Sequence, residues 1–214
     1  MRRESAHNET PLPSGYKQLE YIGYDNRYYN QFIQTNITQV KWRYSYYFEV
    51  IIPQKVNIDD EGDYYYNYDY MIVHGCRGGG FGQRNKFGIS QKRFSYPSTA
   101  WGSTVFQPPI DFTIKHKIYE NYDNVTIDGI YYTISRSQSA IYTNNSNLLL
   151  FKSDDVPNGQ NGAGKLCRFR VSDSGTVLCD GYPALRLQDS KPGLYDLVGN
   201  IFYTNQGTGE FLYA

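Results

Sequence analysis

From Tyr16 to the C-terminus the chain is built of short apolar alternations. Each is cut off within a few residues by Gly, Pro, Asn or Asp, and no stretch carries a convincing amphipathic helical period. This punctuation constrains the fold more than any other feature. The longest run, KWRYSYYFEVII at residues 41–52, alternates until Pro53 and so presents one face to a core. In NYDNVTIDGIYYTIS, residues 121–135, Asp128-Gly129 supplies the positive φ that a two-residue hairpin turn needs between VTI and IYYTI. Asp173-Ser174-Gly175 reads as another tight turn. Val198-Gly199-Asn200 reads as a third, between Leu194, Tyr195, Leu197 and Ile201, Phe202, Tyr203. Further strands are expected over 19–22, 32–35, 70–74, 86–90, 93–96, 112–119, 148–152, 164–172, 176–180 and 182–187. Many short strands without helices predict an all-β fold of two antiparallel sheets face to face, a sandwich or jelly roll.

A length of 214 residues suits one such domain. A chain of this size buries about 70% of the surface its unfolded form exposes, so it folds without staples. Residues 1–13, polar and interrupted by Pro11 and Pro13, are expected to form a flexible arm before a single domain over 14–214. The 21 basic and 21 acidic side chains balance, which argues against nucleic acid as a partner. No segment approaches the roughly 20 apolar residues of a membrane-spanning helix, so no membrane partner is expected. No apolar run follows Arg2 and Arg3, so a secretory leader is not expected there. The 23 Tyr, with 11 Phe and 2 Trp, favour strands and surfaces that are apolar yet tolerate water. Cys76, Cys167 and Cys179 lack CxxC spacing and predict reduced thiols rather than a disulfide framework or a zinc site.

Candidate chemistry is sparse. His7, His74 and His116 stand far apart, with no HExxH or HxH spacing. A Cys76 nucleophile with His74 or His116 as base requires the strand before it to continue past Gly75. GCRGGGFG, residues 75–82, lacks the GK[ST] ending of a phosphate loop and reads as a loop or bulge, with Arg77 a candidate contact residue. Residues 56–69, VNIDDEGDYYYNYD, read as an exposed excursion. Its acids Asp59, Asp60 and Asp63 are weak calcium candidates, with Glu61 beside them. A solvated charge run is the plainer account, because the EF-hand spacing is absent. Tyr64, Tyr65, Tyr66, Tyr68 and Trp101 are candidate binding residues, able to stack on sugar rings or bury at an interface. Glycoside hydrolysis needs two facing carboxylates, and Glu49 on the long strand stands alone in the sequence.

Both ends of the chain resemble a known family. LPSGYKQLEYIGYDNRYYNQFIQTNI, residues 12–37, is similar to the opening "LPSGY.QLEYIESTGTQYIDTGI" of concanavalin A-like (LamG or pentraxin-type) jelly-roll domains found in tailed bacteriophages and gut bacteria. KLCRFRVSDSGTVLCDGYPALR, residues 165–186, and PGLYDLVGNIFYTNQGTGEF, residues 192–211, resemble its closing block, which ends "GLYDLVNNKFYTNAGTGTF". Where the family has a short turn, this chain has the longer GYDNRYYNQFI. The resemblance implies a concanavalin A-like jelly roll whose terminal strands pair near each other, with residues 192–203 closing the sheet. It implies a domain of virion proteins and cell-surface modules that often binds glycans or serves structure without catalysis. The family's hydrolase branch carries an ExDxxE-type motif that has no counterpart here. The expectation is therefore a non-enzymatic virion structural or decoration protein of a tailed bacteriophage, assembled in the host cytoplasm. Its partners would be capsid or tail proteins and host or mucosal glycans, and it needs no cofactor beyond the calcium option. A bacterial carbohydrate-binding lectin module is the alternative, and a glycan-degrading enzyme ranks below both.

Overall fold

The computed structural model describes residues 12–24, 31–41, 43–52, 70–77, 84–90, 93–96, 104–106, 110–111, 113–121, 124–133, 143–144, 146–152 and 164–214. The arm expected over 1–13 lies outside them except for Leu12 and Pro13. The strands are β1 (Tyr16–Gln18), β2 (Ile22–Tyr24), β3 (Ile33–Gln34), β4 (Val40–Lys41), β5 (Tyr44–Ile51), β6 (Tyr70–Arg77), β7 (Arg84–Ser90), β8 (Arg93–Tyr96), β9 (Thr104–Phe106) and β10 (His116–Glu120). They continue with β11 (Asn124–Ile127), β12 (Ile130–Thr133), β13 (Thr143–Asn144), β14 (Leu149–Leu150), β15 (Gly164–Asp173), β16 (Thr176–Arg186), β17 (Lys191–Asp196), β18 (Ile201–Thr204) and β19 (Leu212–Tyr213). No helix occurs among the described residues, and none is long and apolar enough to cross a membrane.

The strands form a sheet of eleven, ordered β12-β11-β10-β5-β15-β16-β17-β18, with β1 beside β16, β2 beside β15 and β19 beside β2. A sheet of six runs β3-β14-β6-β7-β8-β9, and β13 pairs with β4. All pairings are antiparallel. One core joins the two larger sheets. Ile33, Val73 and Leu150 of the smaller sheet share it with Phe48, Val50, Ile118, Phe169 and Val171 of the larger. The all-β, antiparallel two-sheet sandwich expected from the alternation is the fold the chain adopts.

In β5 the alternation is complete: Tyr44, Tyr46, Phe48 and Val50 are buried, while Ser45, Tyr47, Glu49 and Ile51 are half-buried on the opposite face. Each large apolar side chain withdrawn from water contributes about 1.5–3 kcal/mol, so this strand alone anchors one side of the core. Aromatic edges meet within it, Tyr24 against Phe151 at 5.2 Å and Phe151 against Phe211 at 5.5 Å. Phe151 holds φ at 67°, a conformation that costs a bulky residue about 1–3 kcal/mol. Complete burial of its ring offsets that cost.

Two hairpins follow their expected turn chemistry. Asp128 and Gly129, at φ 49° and 85°, join β11 to β12. Ser174 and Gly175, at 50° and 87°, join β15 to β16. The β17–β18 turn differs from the expected Gly-Asn pair: it spans Leu197–Asn200, and only Asn200 takes the left-handed conformation, at 52°. Gly199 is required there for space, because a Cβ would lie 2.8 Å from the Asp196 Oδ2 atom. The buried Asp196 carboxylate accepts the backbone N–H groups of Asp180, Val198 and Gly199 at 2.9, 3.0 and 3.2 Å, and so builds the turn.

The first and last described strands lie near each other, the arrangement expected of the terminal strands. β1 pairs Tyr16 with Arg186, and β19 pairs Leu212 with Gly23. Of the strand expected over 19–22, only Ile22 belongs to one, β2; residues 19–21 link β1 to β2, with Leu19 donating its N–H to the Pro183 carbonyl at 3.0 Å. The strands expected over 176–180 and 182–187 are one continuous β16. Gly75, Cys76 and Arg77, read as the start of a loop, belong to β6, where Arg77 pairs with Arg84.

Candidate functional site

Alternation in a sheet exposed on one side assigns half its residues to the outer face, and their identity decides what that face can do. On the eleven-stranded sheet a cross-strand row runs Tyr131, Thr126, Tyr119, Tyr47, Arg170, Asp180, each the register partner of the next. A second row sets Lys117, Glu49 and Arg168 side by side. A third sets Tyr182, Tyr195 and Phe202 together. Tyr16 packs on Tyr195 and Phe202 at centroid distances of 4.6 and 5.1 Å.

A bulge delivers the arginines to this face. Leu166 and Phe169 are both fully buried, although three positions apart they would fall on opposite faces of a regular strand. Between Leu166 and Arg168 the register shifts, leaving Cys167 as the extra residue that resets the alternation. Arg168 and Arg170 then face outward while Phe169 and Val171 stay in the core.

The charges of the face bind one another. Arg170 Nη2 donates to Asp180 Oδ2 at 2.5 Å, and Arg168 Nη2 reaches the same carboxylate at 3.4 Å. The hydrogen bond to Asp180 raises the Arg170 pKa further. The Arg168 guanidinium lies over the rings of Tyr182 at 4.5 Å and Tyr47 at 5.7 Å. Tyr47 donates its hydroxyl to Glu49 Oε1 at 2.5 Å, and Lys115 Nζ stands 3.5 Å from Glu49 Oε2. Burial, then the bond to Glu49, pushes the Tyr47 hydroxyl well above its ordinary value, so it remains a neutral donor. Burial likewise pushes the Cys167 thiol up to about 11, which leaves it protonated and a poor nucleophile.

Toward β12 the row opens to water, with Tyr119 45% and Tyr131 61% exposed. At the other end the rings of Tyr182 and Tyr195 are closed in. The face can therefore stack planar or ring-shaped groups at its open end on a platform that its closed end holds rigid.

Of the residues singled out in the sequence, Tyr64, Tyr65, Tyr66, Tyr68, Trp101, Asp59, Asp60 and Asp63 lie outside the described residues. Arg77 closes β6 on the smaller sheet, away from this face. The strand does continue past Gly75, with His74 opposite Phe87 and Cys76 opposite Asn85. His116 is on the other sheet, buried, with Nδ1 2.6 Å from Asp128 Oδ2 and Nε2 2.6 Å from the Asp111 carbonyl. Both its nitrogens are thereby engaged, so it is placed as a pin between a loop and a hairpin turn, not as a base for Cys76. Among the described residues no three His, Cys, Asp or Glu side chains converge to hold a metal ion. Glu49, alone in the sequence, shares its face with Asp180, two strands away.

No protein-family model matches the chain, and no curated protein matches it. Among solved structures it is similar to a botulinum neurotoxin type G receptor binding domain, with 16% identity and a TM-score of 0.43. The match covers 75% of this chain, which spans 48% of the length of that one.

Proposed function

We propose that this chain is a non-enzymatic structural and recognition module of a tailed-bacteriophage particle, attached to head or tail, with the outer face of its large sheet serving as a contact surface for host or mucosal glycans. The observation that carries the non-catalytic part is the state of the face's two carboxylates. Glu49 accepts from Tyr47 and faces Lys115, and Asp180 is tied to Arg168 and Arg170. Neither is set up to donate a proton to a leaving group or to attack a sugar carbon. The virion assignment is supported by the resemblance of residues 12–37 and 165–211 to jelly-roll domains of phage proteins. The N-terminal arm and the tyrosine-rich segment 64–68 are the proposed attachments to capsid or tail proteins.

Quantitative mass spectrometry of purified particles tests this reading, with the chain expected in fixed stoichiometry to a capsid or tail protein. Its absence from washed particles would favour the second reading, a carbohydrate-binding module of a bacterial host. That alternative is supported by the same aromatic row. Release of reducing ends from glycans by the purified chain would contradict both.

A further inference from the structure

We propose that the open corner of the outer face, around Lys117, Tyr119 and Tyr131, binds a linear acidic polysaccharide. The inference rests on the binding role proposed above and names the class of ligand. Three observations carry it.

The first is ring spacing. Tyr47, Tyr119 and Tyr131 lie on one cross-strand row, with Thr126 between the last two. Neighbouring strands are about 4.8 Å apart, which sets Tyr119 and Tyr131 about 10 Å apart across the sheet. Two exposed flat rings at that interval suit successive rings of an extended chain lying across the strands.

The second is the polar fringe. Lys117 donates, and the Thr126 hydroxyl both donates and accepts, which matches ligand hydroxyl groups, since these also do both.

The third is charge. Among the described residues Lys115, Lys117, Arg168 and Arg170 stand along the first two rows, beside Glu49 and Asp180. Lys117 stands cross-strand from Glu49, which is engaged by Tyr47 and Lys115, and among the described residues no acid lies within ion-pair distance of it. Its charge reaches the Asp128 carboxylate only through space, and that group is turned to the Lys117 N–H and the His116 ring. A ligand carboxylate or sulfate would give Lys117 the counterion it lacks, beside the exposed Tyr119 ring.

The test is native electrophoresis of the full chain through gels containing polygalacturonate, chondroitin sulfate or dextran. The acidic polymers are expected to retard the chain and dextran is not. Raising the salt to about 1 M, where screening acts over about 3 Å, should abolish the retardation. Tyr119→Ala should weaken binding about tenfold and Lys117→Gln a few-fold, both with an unchanged unfolding midpoint.

No retardation of the folded parent chain by either acidic polymer would overturn the proposal, as would equal retardation by dextran or an undiminished Tyr119→Ala variant. If Tyr119→Ala instead lowers incorporation into particles and leaves retardation intact, the corner is a protein interface and the proposal is wrong. Particle composition separates the two claims. A chain present in virions but indifferent to polysaccharide defeats this inference alone, whereas a chain that binds polysaccharide but is absent from virions defeats only the virion reading.

Discussion

The two faces of the eleven-stranded sheet draw on the same amino acids and use them differently. Inward, Tyr46, Phe48 and Phe169 are closed off from water, with the Tyr46 and Phe169 rings 6.3 Å apart. Outward, Tyr47, Tyr182 and Tyr195 are interleaved with Arg168, Arg170, Asp180 and Glu49, and the row ends in rings open to solvent. Aromatic content alone therefore does not say whether a residue holds the fold or makes contacts. The decisive property is whether its strand neighbours at i±2 are aliphatic or charged, because those neighbours share its face.

This comparison is easiest to break from the inside. Phe169→Ala should cost about 3–5 kcal/mol by removing a fully buried ring and leaving a cavity, read as a lower denaturant midpoint with an unchanged slope. A loss under 1 kcal/mol would mean that the inner face is not the folding core. Asp196→Ala ranks next, at about 2–3 kcal/mol, because three backbone donors, Asp180 on β16 and Val198 and Gly199 in the β17–β18 turn, lose their acceptor. Hydrogen exchange should accelerate first at Val198 and Gly199.

Outer-face substitutions should cost less. Asp180→Ala leaves Arg168 and Arg170 without their shared carboxylate and should destabilise by about 1–2 kcal/mol, discounted because Arg170 remains 39% exposed. Asp180→Ala combined with Arg170→Ala should recover part of that loss if the two act as a pair.

A smaller effect is expected at acid pH. Burial works against ionised Asp128, yet hydrogen bonds from the Lys117 N–H and His116 outweigh it and hold its carboxyl below the ordinary range. A depressed folded pKa stabilises above the unfolded value of about 3.9 and loses that contribution as pH falls through the folded value. Asp128→Asn should therefore lower stability at neutral pH and converge with the parent chain in strong acid. A constant difference at every pH would assign the effect to turn geometry instead.

Much of this architecture was legible in the residues. The alternation of β5 is uninterrupted, and the hairpin turns at Asp128-Gly129 and Ser174-Gly175 follow from residues that tolerate positive φ. The role of Asp196 was not, since a carboxylate in an apolar run gives no sign of which amides will surround it. Nor was the extent of β6, because Gly75-Cys76-Arg77 reads as loop chemistry and becomes strand only through pairing with β7 and β14.

The outer face was missed because its members come from β5, β10, β11, β12, β15, β16, β17 and β18, more than 100 residues apart in the chain between Tyr47 and Asp180. One signal was available: Leu166 and Phe169, apolar at a spacing of three within a strand, require a bulge, and the bulge aims both arginines outward.

The central claim is that the inner face holds the fold and the open outer corner makes contacts. The unfolding midpoint of the Tyr119→Ala, Tyr131→Ala double variant, measured beside Phe169→Ala, tests it most directly. The account predicts a midpoint within about 0.5 kcal/mol of the parent chain for the double variant and a collapse for the core variant. Comparable losses in both would contradict it, because the outer rings would then be part of what keeps the sheet folded.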